Sequence, residues 1–273
     1  MTPLGRELAG ISAREMVAAL GVRRAPEIVQ RWLAAPFFAA SRGLGETLAS
    51  FATDVGAQGL PIAAGQALSR FGVALRSTGT SVTEGPCLIL ANHPGAYDAL
   101  ALMVAIGRRD LAILAADREF LRALSGLSQH LLFVGEQAGK RAGALKKSLA
   151  WLKQGRALLH FPAGKIEPDA DYEGDSSRLL EPWQPGVTAL VGACRRVGGS
   201  VLVAGVRGVH SPRAKRLLLN RWAERRGITT LSPLAQLLAG LRDVEARVRI
   251  DDVSHVADEQ GLRRALLSAI VAA

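Results

Sequence analysis

The spacing of apolar residues along the 273-residue chain changes near residue 80. Before that point, apolar residues recur at helical spacing in segments such as ISAREMVAAL and EIVQRWLAAPFFAA, and Gly and Pro mark the joints between them. This pattern predicts a leader made of helices, without a strand, over residues 1–80.

From Pro86 onward, short apolar runs alternate with longer segments of helical periodicity. Such alternation favours an α/β fold in which a mixed, largely parallel sheet is flanked by helices on both faces. We predict this domain over residues 81–273. The predicted strands are CLILA, LAILAA, LLFV, RALLHF, SVLVAGV and ARVRIDDV, and the predicted helices are YDALALMVAI, EFLRAL, AGALKKSLAWLKQG, GVTALVGACRRV, PLAQLLAGL and EQGLRRALLSAIV.

The chain has a formal net charge of +10, and many of its cations lie in two runs. No acid occurs between Glu136 and Glu167, and Glu224 is the single acid within residues 207–226. Such runs attract nucleic acid, anionic lipid headgroups or the phosphates of a cosubstrate such as coenzyme A, or they form a solvated face. Nucleic acid is the least favoured partner, because aromatic residues are few and no recognition motif accompanies the cations.

The cysteines, the apolar runs and the N-terminus indicate the cellular compartment. Cys87 and Cys194 lie far apart without metal-ligand spacing, so we predict neither a disulfide framework nor a metal site, and a reducing cytosol is the default. No apolar run approaches the roughly 18–20 residues that a membrane span needs, and the N-terminus lacks a signal-peptide pattern. We expect a protein that contacts a membrane without crossing it.

The stretch ANHPGAYD, residues 91–98, carries the strongest candidate chemistry. His93 follows the predicted strand CLILA, and Asp98 begins the next predicted helix. Ligands of α/β sheets gather at the carboxyl ends of the strands, so this histidine is placed at the substrate-binding edge. If Asp98 accepts a hydrogen bond from one ring nitrogen, it fixes the tautomer and leaves the other nitrogen free as a base. The alternative is that these residues only form a turn and a helix cap.

Two blocks of the chain resemble the glycerolipid acyltransferase superfamily, which includes the lyso-phospholipid acyltransferases. NHPGAYD resembles its Asn-His, four residues, Asp block, and LLHFPAGKIEPD, residues 158–169, resembles its Phe-Pro-Glu-Gly block. The intervening elements and the late strand VLVAGVRG also resemble the family, so the likeness covers residues 86–210.

The resemblance implies transfer of a fatty acyl group from acyl-CoA or acyl-carrier protein to the hydroxyl of a membrane lyso-lipid, with no cofactor beyond that cosubstrate. His93 is then the general base and Asp98 orients it, without a covalent acyl-enzyme. Backbone N–H groups of the His-Pro-Gly-Ala turn or of the Phe-Pro-Ala-Gly loop are expected to bind the oxyanion. The substrate-binding residues implied by the two blocks are Asn92, Pro94, Gly95, Phe161, Pro162, Gly164 and Lys165.

The second block departs from the family pattern Phe-Pro-Glu-Gly-Thr-Arg. Ala163 replaces its Glu and Ile166 replaces its Arg, while Glu136 lies near the position of an Arg in the intervening block. Lys165 is the nearby cation that remains. These departures disfavour glycerol-3-phosphate or lysophosphatidic acid as the acceptor and favour another lyso-lipid, such as a lyso-ornithine lipid, another lyso-phospholipid or a glycolipid. The segment through EPWQPGVTALV resembles the branch of lyso-ornithine-lipid acyltransferases and hemolysin-like relatives.

The leader segment RWLAAPFFAASRGLGETLASF can either dock at an anionic membrane surface or cover the core of the same domain. We expect a cytoplasmic protein peripheral to the inner face of the cell membrane. Among the other histidines, His130 and His160 are interpreted as structural, whereas His210 can line the site. Two other functions stay open at this stage: a hydrolase that uses water in place of the acceptor, and a lipid-binding relative without catalysis.

Overall fold

The computed structural model describes residues 1–19, 27–95, 97–135, 137–218, 236 and 243–273. Glu136, most of the predicted helix PLAQLLAGL and the cations of the second basic run beyond residue 218 lie outside these residues.

A seven-stranded sheet organises the described part of the chain. Its strand order is β1-β7-β6-β2-β5-β3-β4, and every neighbouring pair is parallel except β6 with β7, which is antiparallel. The predicted α/β fold with a mixed, largely parallel sheet is therefore confirmed. The strands are β1 Ala74–Gly79, β2 Cys87–Ala91, β3 Ala112–Ala116, β4 Leu131–Val134, β5 Ala157–His160, β6 Ser200–Arg207 and β7 Glu245–Asp252.

Helices cover both faces of this sheet. Buried side chains of α1 to α4 form one cluster on the first face, and those of α6, α7 and α9 form a second cluster on the other. The helices are α1 Pro3–Ala19, α2 Glu27–Gln58, α3 Leu60–Phe71, α4 Asp98–Ile106, α5 Glu119–Ala123, α6 Ala138–Lys153, α7 Val187–Arg196, α8 Pro212–Arg216 and α9 Glu259–Ala272, with short 3-10 helices at Ser125–His130 and Ser176–Arg178.

The central strand β2 shows why this sequence forms a buried parallel sheet. All five residues of CLILA are buried, as expected for a strand covered on both faces. Ile89 and Ala91 belong to the first cluster, while Leu88 and Leu90 belong to the second, because successive side chains of a strand point to opposite faces. The carboxyl end of β2 therefore emerges between two packed layers.

The leader is part of this core and is not purely helical. Leu44, Phe51 and Leu60 are buried in the same cluster as Ile89 of β2. The segment before residue 80 also contains β1, which pairs in parallel with β7, so the prediction of a leader without a strand is wrong. None of the described helices is long and apolar enough to cross a membrane.

Two side-chain contacts give the direction of the long helix α2. Its carbonyl end lies near the amino end of β3, because Arg109 donates a hydrogen bond of 3.2 Å to the carbonyl oxygen of Gln58. The antiparallel helix α1 reaches the opposite edge, where Arg14 pairs with Glu119 at 2.9 Å just after β3 ends. The first turns of α2 therefore extend toward the carboxyl edge of the sheet.

Candidate active site

The turn that follows β2 is fastened to β6 by Asn92. Its side-chain amide donates to the carbonyl oxygen of Val206 at 2.8 Å, and its amide oxygen accepts from the Val206 N–H at 2.7 Å. The parallel pairing of β2 with β6 ends at Ala91 and Ala204. Beyond it, the backbone of β2 turns away from β6, and the Asn92 side chain bonds to the backbone of Val206 in its place. Asn92 is 0% exposed. The side chain is buried and is bonded to backbone through both its amide nitrogen and its amide oxygen, so it supports the turn, and its expected role in substrate binding stays a prediction.

His93 and Asp98 form the pair that their spacing predicted. Nδ1 of His93 lies 2.7 Å from Oδ2 of Asp98. A carboxylate can only accept, so Nδ1 carries the proton and Nε2 is the basic nitrogen. The Asp98 side chain is 2% exposed and that of His93 is 30% exposed, which leaves the imidazole open to a substrate.

The Asp98 carboxylate is fixed by the first turn of α4. It accepts from the N–H groups of Gly95 at 2.7 Å and Ala99 at 2.5 Å, in addition to the imidazole. A negative charge in the first turn of a helix is also favoured by the helix dipole. Because the carboxylate is held from three directions, it can orient the imidazole without itself moving.

The electrostatic surroundings of His93 are mixed, and their net effect favours the protonated ring. Burial acts to lower the pKa of His93, but the charge and hydrogen bond of Asp98 and the charge of Glu167 outweigh it, so the pKa is raised above its ordinary value. A raised pKa makes the imidazole a stronger base. As the pH falls, the ring is also protonated, and so stops acting as a base, at a higher pH.

The second block lies beside this pair because β5 is the parallel neighbour of β2. The Phe161 ring packs against the His93 ring, with centroids 4.5 Å apart. The loop then turns through Gly164, whose φ of 65° suits glycine and whose N–H donates to the carbonyl oxygen of Phe161 at 3.0 Å. Pro162 is buried and its carbonyl oxygen accepts from the N–H of Gln184 at 2.8 Å.

Lys165 is exposed at the end of this loop and forms an ion pair with Glu181, with Nζ 2.9 Å from the carboxylate. The cation that the sequence left as a replacement for the family's phosphate contacts is therefore neutralised by a neighbour. Ala163, at the family's Glu position, is 1% exposed and presents a methyl group to the interior.

Glu167 is the residue of this site that sequence reasoning missed. Its Oε2 accepts from the backbone N–H of His93 at 2.9 Å, and its Oε1 accepts from the backbone N–H of Glu181 at 2.8 Å. It is 3% exposed, and burial raises its pKa to about 7 despite the opposing effect of these bonds. The available signal was the segment IEPD at the end of the second block, but nothing in its spacing indicates a contact with His93.

The other side of the turn is held by His210, which follows β6. Nε2 of His210 lies 3.0 Å from the carbonyl oxygen of Pro94, and the ring is 7% exposed. Asp169 fixes this segment by accepting from the N–H groups of Gly208, Val209 and His210. The His210 ring thus contacts the backbone of the turn after β2, and it is buried instead of lining an open site. His130 bonds to the carbonyl oxygen of Leu111 at 2.8 Å, which agrees with its structural interpretation.

The structure brings the predicted residues together but separates them into two groups. Asn92, Pro94, Gly95 and Pro162 are buried, and the polar groups described above are engaged within the protein, so these residues support the turn, and their substrate contact stays a prediction. The N–H groups of His93 and Gly95 are bonded to carboxylates, so neither is free to bind an oxyanion in this arrangement. The accessible members are His93, Phe161, Gly164 and Lys165.

Two comparisons with known proteins give a match. A family model described as Acyltransferase matches residues 73–202, a range that includes both blocks. Among solved structures, the chain is similar to the 1-acyl-sn-glycerophosphate (LPA) acyltransferase PlsC from Thermotoga maritima, with 14% identity, a TM-score of 0.49, and coverage of 94% of this chain and 86% of that chain. No curated protein matches the chain.

Proposed function

The chain carries an acyltransferase domain over residues 73–202 and is an acyltransferase, and on this premise we propose that it transfers a fatty acyl group from a thioester to the hydroxyl of a membrane lyso-lipid. The observation that carries the proposal is the 2.7 Å contact between Nδ1 of His93 and Asp98 beside an accessible imidazole edge. This arrangement supplies a base and needs no nucleophile from the protein, because the acceptor brings its own hydroxyl.

In the proposed reaction, Nε2 of His93 takes the proton of the acceptor hydroxyl as its oxygen attacks the thioester carbonyl. Asp98 stabilises the imidazolium that forms. The tetrahedral intermediate collapses with cleavage of the C–S bond, and the proton held by His93 passes to the leaving thiolate. The products are an ester and the free thiol of coenzyme A or of the carrier protein, so the protein needs no other cofactor. The oxyanion donors are proposed to come from the loop that begins at Phe161.

The local charge supports an acceptor other than a phosphate monoester. Lys165 is paired with Glu181, and neither Ala163 nor Ile166 provides a charge at its position in the second block. A site that binds a dianionic phosphate needs unpaired cations or free N–H groups. We therefore propose a lyso-lipid whose headgroup does not require such contacts, with lyso-ornithine lipid as the first candidate.

The end of the α1–α2 pair is proposed to dock at the membrane. Trp32 is 77% exposed and Leu33 is 44% exposed on the first turns of α2, which extend toward the carboxyl edge where His93 lies. Exposed aromatic and aliphatic side chains at such a position suit insertion at the membrane interface. Lys140, exposed in the first turn of α6 just after β4 ends, adds attraction to anionic lipid. The protein is thus proposed to act on the inner face of the cell membrane.

The proposal is tested with purified protein, vesicles that contain one lyso-lipid each, and a labelled acyl thioester. Formation of a labelled diacyl product with one acceptor class is the expected result. Release of labelled fatty acid at the same rate with and without acceptor would show a hydrolase instead. Binding to the vesicles without turnover of acyl-CoA or of the acyl-carrier protein thioester would show a lipid-binding protein. Mass spectrometry of lipids from cells with and without the protein then identifies the natural acceptor.

A further inference from the structure

Glu167 joins the two blocks of the active site through backbone contacts. Residues 93 and 167 exchange hydrogen bonds: the N–H of His93 donates to Oε2 of Glu167 at 2.9 Å, and the N–H of Glu167 donates to the carbonyl oxygen of His93 at 2.8 Å. The remaining carboxylate oxygen accepts from the N–H of Glu181 at 2.8 Å. One buried side chain therefore connects the turn after β2, the loop after β5 and the loop before α7.

We propose that Glu167 is a positioning residue for acyl transfer, and that its ionised carboxylate is required to hold His93 in the reactive position. The inference rests on the proposed function and concerns how its base is supported. Glu167 touches the backbone of His93 and acts on the reaction through that residue.

The chemistry of a carboxyl group explains why ionisation matters at this position. Each carboxylate oxygen faces an N–H donor, so the ionised form satisfies both donors. Protonation places an O–H where an acceptor is needed and weakens one of the two bonds. A loosened bond to the His93 N–H lets the turn shift relative to Asp98 and to the bound substrate.

The surroundings move this ionisation to higher pH than that of an ordinary glutamate. Burial raises the pKa of Glu167 to about 7, while the bonds from Glu181 and His93 and the positive charges of His93 and Arg263 oppose the rise. The charged groups that act on it are the imidazole of His93 on the turn and the guanidinium of Arg263 on α9. Glu181, whose N–H donates to Glu167, has its own carboxylate paired with Lys165. The charge of Glu167 in turn contributes to raising the pKa of His93.

A neighbouring acid supports the same segment without contacting the base. Asp169 accepts from three successive N–H groups after β6, at 2.9, 2.9 and 3.1 Å. It holds the segment that carries Glu167 against the rest of the sheet edge. Glu167 and Asp169 are each 3% exposed, so both carboxyl groups act within the protein interior.

The test compares Glu167→Gln and Glu167→Asp with Glu173→Gln as the matched control. Glu173 lies in the same loop region, and its carboxylate accepts from the N–H of Asp175 at 3.1 Å, outside the catalytic turn. Gln keeps the size of Glu but offers one acceptor oxygen, so it can satisfy only one of the two N–H donors. Circular dichroism and thermal unfolding confirm that each variant is folded.

In the acyl-transfer assay, Glu167→Gln is expected to lower kcat by about 10²-fold, the loss that a small misplacement of a catalytic group causes. The KM for the lyso-lipid is expected to stay unchanged. Glu173→Gln is expected to match the wild type, and Glu167→Asp, which keeps the charge on a shorter stem, is expected to fall between them. A raised KM with an unchanged kcat overturns the inference, because it indicates a substrate contact instead of a positioning role.

The pH dependence gives a readout that a merely structural role would not move. The acid limb of kcat/KM for the wild type is expected to reflect the coupled ionisations of His93 and Glu167. In Glu167→Gln only His93 remains, and the midpoint of the acid limb is expected at lower pH. NMR titration of the His93 ring in the substrate-free protein checks the same coupling without activity, so it remains decisive even if the proposed reaction fails. An unchanged His93 titration in Glu167→Gln overturns the inference.

Discussion

Replacement of Asn92 by Ala separates the structural role of this residue from the substrate contact that its motif suggested. The change leaves the Val206 N–H and carbonyl without their bonds of 2.7 and 2.8 Å at a position that is 0% exposed. An unpaired buried polar group costs about 1–3 kcal/mol, so the free energy of unfolding is expected to fall by about 2–6 kcal/mol. That loss is a large fraction of the stability of an ordinary domain.

Urea denaturation followed by circular dichroism measures this loss, with an unchanged slope of the unfolding free energy against urea concentration. Gln154→Ala serves as the control, because this amide side chain is exposed at the end of α6, and its replacement is expected to change stability by less than about 0.5 kcal/mol. If Asn92→Ala keeps wild-type stability and instead raises the KM for the lyso-lipid, the structural assignment is refuted and the substrate contact is restored.

Two further predictions concern the base and the membrane. Asp98→Asn removes the negative charge that raises the pKa of His93 and weakens the hydrogen bond to its ring, while burial, which lowers this pKa, and the charge of Glu167, which raises it, remain. The acid limb of the kcat/KM profile is therefore expected to move to lower pH while the plateau falls. An acid limb that stays in place or moves upward contradicts the assigned pair. Trp32→Ala is expected to weaken binding to anionic vesicles about tenfold or more in a sedimentation assay. Ile62 is another exposed apolar residue, on α3 near the amino edge of the sheet, and Ile62→Ala is expected to bind normally. Equal loss in both variants contradicts docking through α2.

The parts of the fold that were predictable are those with a strong local pattern. β2 could be recognised because both of its faces are buried and every residue of CLILA is apolar. β1 was missed because ALRSTG has one half-buried residue among exposed ones, so its sequence lacks both an apolar run and an alternation. Its strand conformation depends on pairing with β7, which is more than 160 residues away in the chain.

In the site, too, the local contact could be predicted and the contacts between distant residues could not. His93 and Asp98 are five residues apart, and a turn between a strand and a helix brings them together, so their pairing could be inferred from the sequence. Glu167 contacts His93 across 74 positions through the backbone, and Asn92 contacts Val206 across 114. Such contacts depend on which strands are neighbours, so the sequence alone indicated neither the bonds from Asn92 to Val206 nor any role for Glu167.

The central claim is that His93 is the base that activates the acceptor hydroxyl, and the rate of ester formation by His93→Ala on lyso-lipid vesicles tests it most directly. General-base catalysis contributes about 10²–10⁴-fold, so the variant is expected to lose at least about 10²-fold in kcat while it remains folded and bound to the vesicles. Ester formation by folded His93→Ala at the wild-type rate would contradict the account.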